Sequence, residues 1–158
     1  AREVAEKALS NGLPKNLLLN VNARAPFILM QETVRFMKAN DVHGSIVNII
    51  SDCAHGGYPY LTAYSASKGG IVGMTLPIAR EFARIGVRIN TVAPGIFWTP
   101  MVDGMPEHIQ ESLSASIPFP SRLGRSEEFA ALAGDIIESP YLNGTTIRLD
   151  GAVRLAPK

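Results

Sequence analysis

Tyr64 and Lys68, four apart in Tyr64-Ser65-Ala66-Ser67-Lys68, are the pair in this sequence best suited to proton chemistry. On a helix, residues i and i+4 share a face. The Lys68 ammonium would then stand near the Tyr64 phenol, and a nearby positive charge favours the ionised form of an acid. An ordinary phenol titrates at about 10, too high for an efficient base near neutrality, where a lowered value would serve better. Ser51, thirteen residues ahead of the tyrosine, adds a hydroxyl that could bond a reacting oxygen. By itself Tyr-x-x-x-Lys also describes many solvated helix faces, so the weight rests on its surroundings.

Those surroundings are ordered. The run Gly44-Ser45-Ile46-Val47-Asn48-Ile49-Ile50-Ser51 is short and mostly apolar, and predicts a strand over 45–51 covered on both faces, as in a parallel sheet. Ser51 ends it, at the strand edge where open α/β sheets place their chemistry. A loop with Gly56, Gly57 and Pro59 leads into a helix expected over 61–85. Within that helix Gly69, Gly70 and Gly73 each weaken it by about 1 kcal/mol, which suits a close backbone approach. Pro77 predicts a bend or a lost hydrogen bond. Val87-Arg88-Ile89-Asn90-Thr91-Val92-Ala93 reads as the next strand, stopped by Pro94-Gly95, completing a βαβ unit.

Strand, serine, glycine loop, then Tyr and Lys on a helix resembles the short-chain dehydrogenase/reductase family, and the resemblance extends through most of the chain. The wording of 63–80, 116–124 and 142–152 is similar to its type-2 3-hydroxyacyl-CoA dehydrogenase branch, whereas 21–62 is closer to other branches. The resemblance implies an α/β fold with a Rossmann-like, doubly wound parallel sheet, and one domain over 1–158. It implies hydride transfer between NAD, or NADP, and a secondary alcohol or ketone, with a 3-hydroxyacyl-CoA as a candidate substrate. Catalytic roles pass to Asn22, Ser51, Tyr64 and Lys68. Lys68 and Tyr64 also face the nicotinamide ribose, while Pro94, Gly95, Ile96 and Thr99 border the nicotinamide ring. Ser51, Cys53, Phe97 and Trp98 would meet the substrate, with Phe97, Trp98 and Met101 beginning a lid. A homo-oligomer, dimer or tetramer, is implied through the 26–40 and 61–85 helices.

Three family elements are missing from these residues. No T-G-x-x-x-G-x-G loop, no residue reading the adenosine ribose and no N-N-A-G turn occur, although such a loop and its helix N-terminus hold the pyrophosphate. The fold is therefore expected to be incomplete here and the sequence to be part of a longer one. The competing reading is a non-catalytic fragment or pseudoenzyme serving as an oligomerisation scaffold. An epimerase or dehydratase of the extended family would need a larger C-terminal substrate domain than this chain has room for.

The remaining segments read as follows. Residues 1–11 predict a short amphipathic helix ended by Asn11-Gly12. Leu17-Leu18-Leu19 fits a brief buried strand or the approach to a helix. Asn22 reads as a helix-start residue, or, through the resemblance, as the support of a relay water; a helix follows to about Asn40. Residues 106–116 form a lid helix with His108 solvated, and Ser126 caps a helix whose stripe is Phe129, Leu132, Ala133, Ile136 and Ile137. Residues 145–149 make a last strand.

Composition bounds the rest. At 158 residues with 46% hydrophobic content the chain can bury a core. A formal charge of +1 gives no reason to expect nucleic acid or an anionic membrane as partner, and no apolar run approaches the ~20 residues of a spanning helix. The three histidines form no H-x-x-x-H pair and Cys53 is the single cysteine, so neither a zinc site nor an internal disulfide is expected. No signal-peptide pattern opens the sequence. A reducing compartment follows as the expectation, cytoplasmic or, in a eukaryote, the mitochondrial matrix. A small-molecule substrate is the expected partner.

Overall fold

The computed structural model describes residues 15–154; the helix expected over 1–11 lies outside them. The chain opens in one helical run: α1 (Lys15–Leu19), a π-helical turn (Asn20–Arg24) and α2 (Ala25–Ala39). The three leucines at 17–19 are helical, with Leu18 buried and its neighbours exposed, because an apolar triplet carries no period of its own. Strand β1 (Gly44–Ile49) leads through a short helix α3 (Cys53–Gly56) to the long helix α4 (Thr62–Phe82), which runs unbroken through Pro77 before a 3₁₀ turn. Strand β2 (Val87–Pro94) is followed by α5 (Pro100–Asp103), α6 (Glu107–Ala115), α7 (Ser126–Glu138) and strand β3 (Thr146–Leu149).

The sheet is parallel in the order β1-β2-β3, with Ile46 opposite Ile89 and Val92 opposite Ile147. Strand β2 shows how the layers are set. Val87 and Ile89 pack with Ile78 and Ala79 of α4 and with Met30 and Val34 of α2. Thr91, on the same face, shares a 2.6 Å hydrogen bond with Thr75 of α4. Arg88 and Asn90 point the other way and bond carbonyls at 136, 137 and 142, at and beyond the end of α7. Helices therefore cover both faces of β2, and the expected α/β architecture is found. Strand β1 differs from expectation: it stops at Ile49 and is only half covered, with Ile49 55% exposed. It has a neighbour on one side only among the described residues.

Local expectations need three further corrections. The close backbone approach expected at the α4 glycines is not made among the described residues: an added Cβ at Gly70 would make an ordinary contact with the Ala23 side chain at 3.7 Å, and at Gly69 and Gly73 it would meet nothing within 4 Å. Ile137 belongs to the exposed side of α7, whereas Ile136 is fully buried. The cap of α7 is Arg125, not Ser126: the Glu128 carboxylate reaches back to accept from the Arg125 N–H at 2.7 Å.

Glu128 also accepts from both Arg122 terminal nitrogens, at 2.9 and 2.6 Å. These bonds, Arg122 foremost and then the Arg125 backbone, hold its carboxyl down at about 2. In the unfolded chain it would protonate near ~4.3. The stabilisation is therefore complete above the ordinary value and is lost as pH falls toward about 2. Glu128→Gln is expected to lower the urea midpoint at neutral pH, with parent and variant converging in acid. The pair is exposed, so added salt should shrink the difference. A gap that persists unchanged in acid would rule this out.

Candidate active site

The site forms where the C-terminal ends of β1 and β2 meet the first turns of α4. The Ile50 N–H donates to the Val92 carbonyl at 2.9 Å and the Asp52 N–H to the Pro94 carbonyl at 3.1 Å, so the Ser51 segment rides on β2. Ser51 lies just past the strand. Its Oγ donates to Asp52 Oδ1 at 3.1 Å and accepts from the Cys53 N–H at 3.2 Å. Tyr64 and Lys68, on successive turns of α4, face it half-buried.

Lys68 does not aim at the phenol oxygen. Its Nζ lies 5.7 Å from the Tyr64 ring centroid, over the ring, and donates to the Ile49 carbonyl at 3.5 Å. The Tyr64 phenol is pushed up rather than down, which corrects the expectation from spacing. Burial is the main cause: it withdraws water from the phenolate, while hydrogen bonding with Ser51 works against it and Cys53 and Asp52 add to the rise. Burial also lowers the Lys68 ammonium. Cys53 is buried and its thiol is pushed up by that burial, so it sits here as an uncharged group.

Asn22 is not a helix cap. Its backbone belongs to the π-helical turn, flanked on both sides by helical residues; such turns recur at functional positions. Its Nδ2 donates to Ser67 Oγ at 3.3 Å, and Ser67 donates to the Tyr64 carbonyl at 2.7 Å. Asn22, Asn48, Ile49 and Lys68 line one groove, which places Asn22 beside the lysine without a direct bond.

The 94–99 segment is anchored from below. The Gly95 N–H donates to the Leu149 carbonyl at 2.9 Å, and a Cβ at Gly95 would lie 2.8 Å from the Asp150 Cα, so only glycine fits this approach. Ile96 packs against Val102, Ile117, Leu123 and Val153. Thr99 caps α5, its hydroxyl accepting from the Val102 N–H at 3.4 Å. Phe97 is not a free lid aromatic: it pairs with Gly124 and meets Phe129 edge-on, centroids 6.1 Å apart. Trp98 and Met101 are exposed.

Sequence reading missed Asp52 and Tyr58. Both are buried, and the Tyr58 hydroxyl donates to Asp52 Oδ2 at 2.5 Å. The available signal was a carboxylate directly after Ser51 in an apolar setting. The loop that follows Tyr58 places Tyr60 at φ 65, a conformation rare for a residue with a side chain.

Among the described residues no group of three or more His, Cys, Asp or Glu side chains could hold a metal ion, and no helix is long and apolar enough to cross a membrane.

Comparison with known proteins adds the family. The family described as Enoyl-(Acyl carrier protein) reductase matches residues 15–153. The chain is 48% identical over 145 residues to human (Homo sapiens) 3-hydroxyacyl-CoA dehydrogenase type-2, covering 89% of this chain and 56% of that protein. Its fold superposes on the crystal structure of 3-hydroxyacyl-CoA dehydrogenase type-2 from Mycobacterium avium with a TM-score of 0.86 at 33% identity, covering 91% of this chain and 58% of the other. A 4-hydroxyisoleucine dehydrogenase mutant complexed with NADH and succinate matches with a TM-score of 0.76 at 27% identity, over 84% and 56% of the two chains. The chain spans about half the length of the curated relatives it matches. From these matches and the Rossmann-like sheet beneath the site, the chain belongs to the short-chain dehydrogenase/reductase family.

Proposed function

We propose that this chain is the catalytic portion of an NAD(P)-dependent dehydrogenase/reductase that interconverts a secondary alcohol and a ketone, with a 3-hydroxyacyl-CoA as substrate and NAD as cofactor. The observation that carries it is the convergence of Ser51, Tyr64 and Lys68 at the C-terminal sheet edge. The similarity to enzymes named 3-hydroxyacyl-CoA dehydrogenase type-2 supports the substrate. A structure named as complexed with NADH supports the cofactor.

The residues present fit the nicotinamide end of a dinucleotide. Lys68 spends one N–H on Ile49 and has further donors for ribose hydroxyls. The Gly95 approach that no Cβ could share leaves Ile96 and Thr99 at the sheet edge, where they would border the carboxamide. When bound, the nicotinamide supplies the hydride chemistry. Tyr64 holds the proton: as a phenol it donates to a carbonyl oxygen, and as a phenolate it takes the hydroxyl proton of an alcohol. Ser51 orients that oxygen. Lys68 holds the ribose and stands over the Tyr64 ring. The groove shared by Asn22 and Lys68 would carry a relay water to solvent. We further propose a homo-oligomer, dimer or tetramer, and a cytoplasmic or mitochondrial-matrix setting, on the strength of the family and the single cysteine.

Titration with NADH and then NADPH, followed by nicotinamide fluorescence, tests the cofactor. Saturable binding of NADH is expected. A folded chain that binds neither would instead favour the non-catalytic scaffold.

A further inference from the structure

Asp52 occupies an unusual place: directly after Ser51, buried, with both carboxylate oxygens bonded. Oδ1 accepts from Ser51 Oγ at 3.1 Å and Oδ2 from the Tyr58 hydroxyl at 2.5 Å. The backbone fixes it as well. Its N–H donates to Pro94, and its carbonyl accepts from the N–H groups of His55 and Gly56 at 2.9 and 3.0 Å. A serine hydroxyl carries a single proton. Here that proton is directed at a carboxylate, while the Ser51 oxygen accepts from the Cys53 N–H.

We propose that Asp52 is a positioning residue that controls Tyr64 through Ser51: it accepts the Ser51 hydrogen bond while Tyr64 is a phenol, and gives that bond up to the phenolate oxygen when Tyr64 ionises. The Tyr58 hydroxyl clamps the carboxylate in the pose that makes this exchange a rotation of one hydroxyl. The inference rests on the reading of Tyr64 as the proton carrier, and assigns the resting site to a neutral Tyr64, poised to donate toward a carbonyl oxygen. The groups facing Tyr64 agree. Asp52 and Cys53 from the 51–56 segment disfavour its ionisation, a Ser51 hydroxyl turned toward it favours it, and Lys68 from its own helix lies over the ring. A carboxylate that competes for the one stabilising donor acts twice, through its charge and through Ser51.

A double-mutant cycle separates those two actions. The chain has four tyrosines, so ¹³Cζ-tyrosine labelling gives a titration for each, with Tyr64 assigned by Tyr64→Phe. Asp52→Asn keeps the shape and an acceptor for Tyr58; Asp52→Ser runs in parallel should the first variant not fold. Asp52→Asn is expected to lower the Tyr64 midpoint by roughly one pH unit, and Ser51→Ala to raise it. In the Ser51→Ala background the Asp52→Asn shift should fall to less than half. An Asp52→Asn shift of equal size with and without Ser51, or no shift in a folded variant, overturns the proposal. The titration requires neither dinucleotide nor turnover, so its failure leaves the reading of the active site standing. Loss of that reading would show instead as Tyr64→Phe retaining turnover.

Discussion

Tyr64→Phe is expected to lower turnover by about 10²- to 10⁴-fold, the usual share of a positioned acid or base, while dinucleotide affinity changes less than about threefold. The substitution removes one oxygen and keeps the ring. The ring is what Lys68 stands over at 5.7 Å, and Lys68 retains its bond to Ile49, so the ammonium stays in place. What disappears is the proton. Ser51 cannot replace it, because its hydroxyl is directed to Asp52 and an aliphatic alcohol is a far weaker acid than a phenol. Steady-state kinetics with a 3-hydroxyacyl-CoA and NAD, beside fluorescence titration of NADH, check both halves. Because burial raises the Tyr64 phenol, the parent should oxidise alcohols faster as pH rises through the alkaline range, and reduce ketones best below it. A Phe variant within a few-fold of the parent would remove Tyr64 from the reaction.

How much of this was legible in the sequence depends on whether a feature is periodic. Tyr64 and Lys68 were legible because i and i+4 share a helical face whatever else the chain does. Strand β2 was legible because seven consecutive residues read as a strand stopped by Pro94-Gly95, and most of them are fully buried. Ser51 was placed at a strand end, and the structure puts it two residues past that end. Features set by three-dimensional approach were not legible. Asp52 and Tyr58 are six residues apart, joined through a turn with Gly57 at φ 64, and no repeat announces such a path. Asn22 misled because a favoured cap residue before a helical pattern reads as a start, whereas helix already precedes it from Lys15. The sign of the Tyr64 shift was misread for the same reason. Spacing brings Lys68 near, but burial and the neighbouring Asp52 act on the oxygen itself.

Arg88→Ala should destabilise the fold by roughly 3 kcal/mol, a drop of roughly 6–12 °C in Tm. Arg88 leaves β2 on the α7 side and spans three carbonyls: Ile136 at 3.0 Å, Ile137 at 2.6 Å and Leu142 at 2.8 Å. Ile136 and Ile137 lie in the last turn of α7, where carbonyls lack helical partners and the dipole favours a cation. That turn has no basic residue of its own, so Arg88 supplies the charge from the sheet. Leu142 keeps a second donor in Asn90 at 2.9 Å; the two helical carbonyls have no such reserve in side chains of their own turn. Arg88→Lys should recover only part of the loss, since a point charge cannot span a planar fork's three acceptors. The effect should reach the active site by a defined route. The 142–145 turn is tied to β2 through Gly144 N–H to Ile89 and Thr145 N–H to Asn90. It introduces β3, whose Leu149 carbonyl holds Gly95. Amide exchange in Arg88→Ala should therefore quicken at Gly144 and Gly95 more than at Ile50, which bonds β2 directly. Uniform quickening, or a stability loss below about 1 kcal/mol, would show that α7 is held by its apolar face alone, with Ile136 at its centre.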